Sequence, residues 1–330
     1  MPAPPQAARR NLGLSPLTSG DPVRVGGHTL VGRLGAGGLG TVYAALGHDS
    51  QLFAIRVFRP GCTADPGFRA RLREEVDLVR RVDSPYIPRF VTAAPEADPP
   101  WTATELVPGP TLGEWVAGSG PLTGEALLAV AAGTLEALCA LHTRGLVHRN
   151  LGPDNVKLAP TGPKVLDPGI VRALDEAVLA RTGGLAGAPG RTAPERYRRG
   201  GSGPGVDVFA WGVLLAFAAT GREPFGEGAP QEVARRVLWE EPDLAGVPED
   251  LLPLVEAALE KDPDLRPRSP ELLRGLTADG AQTAELVRLG WLRLARPRGR
   301  GRRRALAAVT GALLAAWAVG ALLFPGAAAW

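Results

Sequence analysis

The sequence predicts an α+β fold, β-rich toward the N-terminus and helical beyond it, followed by one C-terminal membrane helix. Three observations carry this. Short runs rich in β-branched and aromatic residues, punctuated by Gly and Pro, recur between Thr29 and Val107. Apolar residues recur at helical spacing at Phe68, Leu72, Val76, Val79 and Val82, and again between Glu125 and Gly145. Near the end, Ala305 to Phe324 is a stretch of twenty residues without a charge. As a helix it spans about 30 Å, one hydrocarbon thickness.

The chain has 330 residues, more than one average domain, and one large domain with tails fits that length. An apolar fraction of 45% is ample for a core. The net charge of +3 is small, and much of the excess lies in Arg293, Arg296, Arg298, Arg300, Arg302, Arg303 and Arg304. A local block of this kind is not a basic face, so no nucleic-acid partner is expected. Cys62 and Cys139 follow no metal or disulfide spacing and read as reduced structural thiols. Met1 to Gly20 is Pro/Ala-rich without the apolar centre of a signal peptide, and residues 1–27 read as a flexible leader.

Thr29 to Leu34 is the first strand pattern, and Thr41-Val42-Tyr43-Ala44-Ala45 the second. Between them lies Gly35-Ala36-Gly37-Gly38-Leu39-Gly40, a G-x-G-x-x-G run. Such a run is a weak signal alone, but a dinucleotide-binding glycine loop opens a helix, whereas this one leads into a strand. Leu52 to Val57 is the third strand, and Phe68 to Val82 a helix with one apolar face. Arg89 to Thr92 and Trp101 to Val107 are two further strands, the latter running into Pro108-Gly109-Pro110. In the long helix from Glu125 to Gly145, His142 reads as a surface or packing histidine. Val213 to Ala219, apolar all round, reads as a core helix.

Two stretches carry the chemistry. Leu146-Val147-His148-Arg149-Asn150-Leu151-Gly152-Pro153-Asp154-Asn155 and Val165-Leu166-Asp167-Pro168-Gly169 resemble the catalytic loop (H-R-D-L-K-P-x-N) and the D-F-G turn of the bacterial, eukaryotic-like (Hanks-type) Ser/Thr protein kinases. The resemblance covers about residues 28–276 and implies the two-lobed protein-kinase fold, a small β-rich N-lobe on a larger helical C-lobe. It implies ATP and Mg2+ as ligands, with Gly35, Gly37 and Gly40 over the phosphates and Asn155 and Asp167 on the metal. By the same resemblance Val42, Ala54, Arg56, Thr104, Glu105 and Val107 belong to the nucleotide site, with Thr104 in the gatekeeper place, and Glu75 is the helix carboxylate that pairs with the strand lysine. Asp207 to Gly212 matches the start of the central helix, whose Asp holds the catalytic loop in the family. Arg266 matches the residue that pairs with the Glu of A-P-E, here Glu195.

The departures from the pattern matter most. Asn150 stands where the family has its catalytic Asp, and an amide holds a hydrogen bond without accepting a proton. Loss of a general base costs roughly 10²–10⁴ in rate. Gly152 replaces the lysine that places charge at the transferring phosphoryl group, and Ala188 the threonine that braces the two. Pro168 replaces the aromatic residue of D-F-G. Arg56 occupies the strand-lysine position. Lys157, Lys164 and Lys261 are the only lysines among 37 basic residues, and the Ala/Gly/Pro/Arg bias suggests a GC-rich bacterial genome. Arg56 is then either compositional drift with function kept, or a loss, because a planar fork does not substitute for a compact ammonium. A pair between Arg56 and Glu75, Glu75 as a solvated charge, and Asp154 as a displaced base are the alternatives at this stage.

The expected organisation is leader 1–27, kinase-like domain 28–276, Arg-rich juxtamembrane segment 277–304, membrane helix 305–324 and outer tail 325–330. Arginines before the apolar stretch place the domain in the cytoplasm of a single-pass cell-membrane protein. An Ala-rich soluble or peripheral helix is the alternative. The expected function is a pseudokinase: a signalling scaffold or allosteric partner of other proteins, such as active kinases or their substrates, able to bind Mg-ATP. A working non-standard Ser/Thr kinase and a structural domain that binds no nucleotide are the alternatives.

Overall fold

The computed structural model describes residues 13–37, 39–47, 51–60, 67–168, 189–199, 201–277 and 280–294. The N-lobe is an antiparallel sheet of β1 (Arg24–Val25), β2 (His28–Ala36), β3 (Gly40–Leu46), β4 (Leu52–Phe58), β5 (Phe90–Ala94) and β6 (Trp101–Glu105), in the order β1-β2-β3-β4-β6-β5. Strand alternation decides which residues reach the cleft. On β4, Phe53 and Ile55 are buried with Tyr43, Ala45, Trp101 and Ala103, which turns Ala54 and Arg56 to the opposite face. The turn into β3 depends on Gly40, whose φ is +159° and whose added Cβ would lie 1.9 Å from the Val57 carbonyl oxygen. α1 (Phe68–Val79) lays Phe68, Leu72 and Val76 against Phe58, with the Phe58 and Phe68 rings edge to face at 5.4 Å.

The expected flexible leader is corrected from residue 13 onward. Ser15 bridges Arg33, β1 pairs with β2, and Leu17 packs on the N-lobe core. Tyr43 donates to Asp21 at 2.7 Å, and Arg33 pairs with the same carboxylate at 3.2 Å. Polar composition hid this segment because its attachment is mostly backbone pairing and one carboxylate.

The C-lobe is built on α3 (Gly124–Thr143) and α5 (Gly205–Thr220), the latter buried along nearly its whole length. Trp211, fully buried, donates its indole N–H to Thr134 at 3.1 Å, so the largest core side chain leaves no polar atom unmet. Around this pair stand α2 (Leu112–Ser119), the hairpin β7 (Val156–Ala159) and β8 (Gly162–Val165), α4 (Pro194–Arg199), α6 (Pro230–Trp239), α7 (Leu252–Ala258) and α8 (Ser269–Leu276).

A last helix, α9 (Gly280–Leu294), lies inside the segment expected to be a juxtamembrane linker, and it is part of the fold. Val287 is buried, the Trp291 indole N–H bonds the Ala159 carbonyl, and Gly290 faces α3. A Cβ on Gly290 would come 2.4 Å from the Glu125 carbonyl oxygen, so the glycine sets how closely the two helices approach. Gly290→Val is therefore expected to lower stability by about 1–3 kcal/mol through overpacking. A urea midpoint equal to wild type would remove α9 from the fold. The predicted membrane span 305–324 lies outside the described residues. Among those described, the helix long and apolar enough to cross a membrane is α3, a buried core helix.

Candidate functional site: the interlobe cleft

Between the lobes lies a cleft of about 200 Å³. Gly35, Val42, Ala54, Arg56, Thr104, Glu105, Val107, Asn155 and Asp167, all expected at the site, line it together with Lys157 and Pro168. Gly37 and Gly40 close the hairpin above, the Gly37 N–H donating to the Gly40 carbonyl at 2.9 Å. Side chains added at Gly35 or Gly37 would meet nothing within 4 Å, so packing within the chain does not demand these glycines. Glu75 is not a solvated charge: it is buried on α1 at 4% exposure. The Arg56 guanidinium bonds Asp167, and among the described residues no ion pair joins it to Glu75.

The catalytic-loop backbone is held from below. Asp207, fully buried, accepts from the N–H groups of His148 and Arg149, both at 2.7 Å. His142 bridges Asp207 at 2.8 Å and Ser269 at 2.9 Å, so this packing histidine has a structural task. Above, a His148 ring nitrogen lies 2.8 Å from the Leu166 carbonyl, and the Leu166 N–H donates to the Asn155 carbonyl. Two residues of this region, Arg149 (φ +65°) and Asp167 (φ +55°), are held in the left-handed region that side chains disfavour. Asn155 donates its side-chain amide to the Asn150 carbonyl at 2.7 Å, which keeps its amide oxygen as an acceptor. The catalytic-loop backbone is thus held in place with an amide at position 150.

Two residues that sequence reading missed stand here. Lys157 donates to the Val107 carbonyl at 3.1 Å, an ammonium at the base end of the cleft. Alternation on β7 was the available signal, since buried Val156 and Leu158 flank it. Arg191 is the second. Its guanidinium lies 3.1 Å from where a Cβ on Gly152 would be, paired with Glu223 and, at 3.6 Å, with Asp154. Position 152 therefore has a cation beside it, although two carboxylates already engage that cation. Its ion pair also occupies Asp154, the alternative base. No spacing in the sequence links residues 152 and 191. Ala188 lies outside the described residues.

The Asp167 carboxylate does not fit a divalent ion in this arrangement. Magnesium requires close octahedral oxygen ligands, and the guanidinium already sits on the Asp167 carboxylate.

Burial pulls the Lys157 ammonium below the usual lysine range, partly opposed by Glu114. A lowered folded pKa means that the burial cost is borne in full while both folded and unfolded chains are protonated. It is relieved as pH rises through the folded value toward about 10.4. Lys157→Met should therefore raise the urea midpoint near neutral pH, with a gain that shrinks toward pH of about 10. A gain independent of pH would contradict this.

Comparison with known proteins agrees with the geometry. The two lobes and their cleft are those of a protein kinase, and the family model described as "Protein kinase domain" matches residues 28–275. The chain belongs to the protein kinase family, among the bacterial Hanks-type Ser/Thr kinases. It is 42% identical over 266 residues to the probable serine/threonine-protein kinase PkwA of Thermomonospora curvata, covering 81% of this chain and 36% of that one. With the serine/threonine-protein kinase AfsK of Streptomyces coelicolor it shares 40% over 257 residues, 78% and 32% of the two chains. The chain thus spans about a third of the length of these relatives. The crystal structure of the Mycobacterium tuberculosis PknI kinase domain superposes with a TM-score of 0.62 at 24% identity, over 80% of this chain and 99% of that one, which supports the fold.

Proposed function

We propose that this protein has given up phosphoryl transfer and serves as a signalling scaffold or allosteric partner, held at the membrane by residues 305–324. One observation carries the reading. The loop that presents the acceptor-side base in the family is held in place by Asp207, and it presents the amide of Asn150. An amide can orient an acceptor hydroxyl but cannot take its proton. Gly152 and the Arg56–Asp167 pair support the same reading.

An active Ser/Thr kinase is the second reading, favoured by the Arg191 cation beside Gly152 and by the kinase names of the relatives. Radiolabelled ATP with a generic basic acceptor protein separates the two. The proposal expects no label above background. Label that Asp167→Ala abolishes would establish the enzyme. For the anchor, deletion of residues 305–330 is expected to move the protein from the membrane fraction to the soluble one, and membrane retention of the shortened chain would refute it.

A further inference from the structure

The Arg56–Asp167 contact joins two positions that the family reserves for different ligands. Arg56 stands at the position of the lysine that touches phosphates, and Asp167 at that of the metal-binding carboxylate. The pair is partly buried: the Arg56 side chain is 13% exposed and that of Asp167 33%. Neither partner is loosely placed. Arg56 is fixed by the β4 ladder, where it pairs with Val42 and Thr102. Asp167 follows Leu166, which both the Asn155 carbonyl and the His148 ring hold.

A lysine head is compact and rotates freely, so it can leave such a carboxylate when a metal arrives. A guanidinium is planar and forked, matches the carboxylate edge, and is charged at every accessible pH. A divalent ion on Asp167 would have to approach that fixed charge. The guanidinium also carries five N–H donors, more than one carboxylate consumes, and Arg56 lines the cleft.

Building on the family membership and on the reading of the cleft as a nucleotide site, we propose that it binds a nucleoside di- or triphosphate as the metal-free anion, with Arg56 as built-in counter-cation in place of magnesium. Asp167 then orients Arg56 and is a positioning residue rather than a metal ligand. The open backbone of Gly35 and Gly37 covers the phosphates.

The test is equilibrium binding of ATP and of ADP to the full chain, by calorimetry, in EDTA and in excess magnesium. Binding in EDTA at least as tight as in magnesium is expected. Arg56→Met, checked for folding by circular dichroism, should weaken EDTA binding by about ten-fold or more. Asp167→Asn, whose side-chain oxygen can still accept from the Arg56 guanidinium, should retain binding in EDTA. Binding that requires magnesium would overturn the proposal, as would undiminished binding by Arg56→Met or loss of EDTA binding in Asp167→Asn. Absence of binding in both buffers would overturn it too, and would favour a domain that takes no nucleotide. Phosphoryl transfer itself is read separately by the label experiment.

Discussion

Asn150→Asp, made together with Arg56→Lys, is expected to raise transfer of the ATP γ-phosphoryl group to a protein acceptor by roughly 10²–10⁴-fold. The scaffold for such a gain is already present. Asp207 fixes the backbone at His148 and Arg149, and Asn155 holds the Asn150 carbonyl. The new carboxylate would therefore stand on the backbone that an active family member uses. Arg56→Lys accompanies it because the guanidinium is committed to Asp167. Adding Gly152→Lys should help only with Arg191→Ala, since a long side chain at 152 enters the space that the Arg191 guanidinium fills. Label incorporation by the single, double and quadruple variants measures this order. A double variant no more active than wild type would place the defect elsewhere in the chain.

The second large effect is on stability. Arg266→Ala is expected to cost about 3–5 kcal/mol, because its partner carboxylate is left without a cation. Arg266 is fully buried in its side chain and meets Glu195 through two bonds of 2.8 Å. It also donates to the carbonyls of Glu260 and Gly205, and its guanidinium lies 5.1 Å from the centre of the Phe209 ring. These contacts tie α4, the core helix α5 and the turn before α8 to one side chain. Urea denaturation of wild type and Arg266→Ala checks the figure, and a difference under about 1 kcal/mol would show that the pair is not structural.

The distribution of what the sequence disclosed has a physical basis. The resemblance of Leu52 to Val57 to the family's third strand placed Ala54 and Arg56 at the cleft, and helical spacing placed Phe68, Leu72 and Val76 on the core face. Asp207 and the Glu195–Arg266 pair were legible through their resemblance to family motifs, and the structure gives both their carboxylate contacts. Contacts that depend on tertiary approach left no such trace. The closeness of Gly290 to α3 looks, in sequence, like any glycine in a helix. The docking of residues 13–27 rests on backbone bonds, on Leu17 and on the Asp21 carboxylate, which composition does not single out. Arg191 reaches Gly152 only because the chain folds back between them, and Lys157 is visible only once β7 is known to face the cleft. At Arg56 and Glu75 the expected alternatives were pairing with each other or solvation. The geometry instead pairs Arg56 with Asp167 and buries Glu75.

The most direct measurement is the intact mass of purified wild-type protein and of Asp167→Ala after incubation with ATP and magnesium. Both are expected to keep the mass of the unmodified chain. A phosphate adduct on wild type that Asp167→Ala lacks would contradict the account, because the chain would then have supplied its own base.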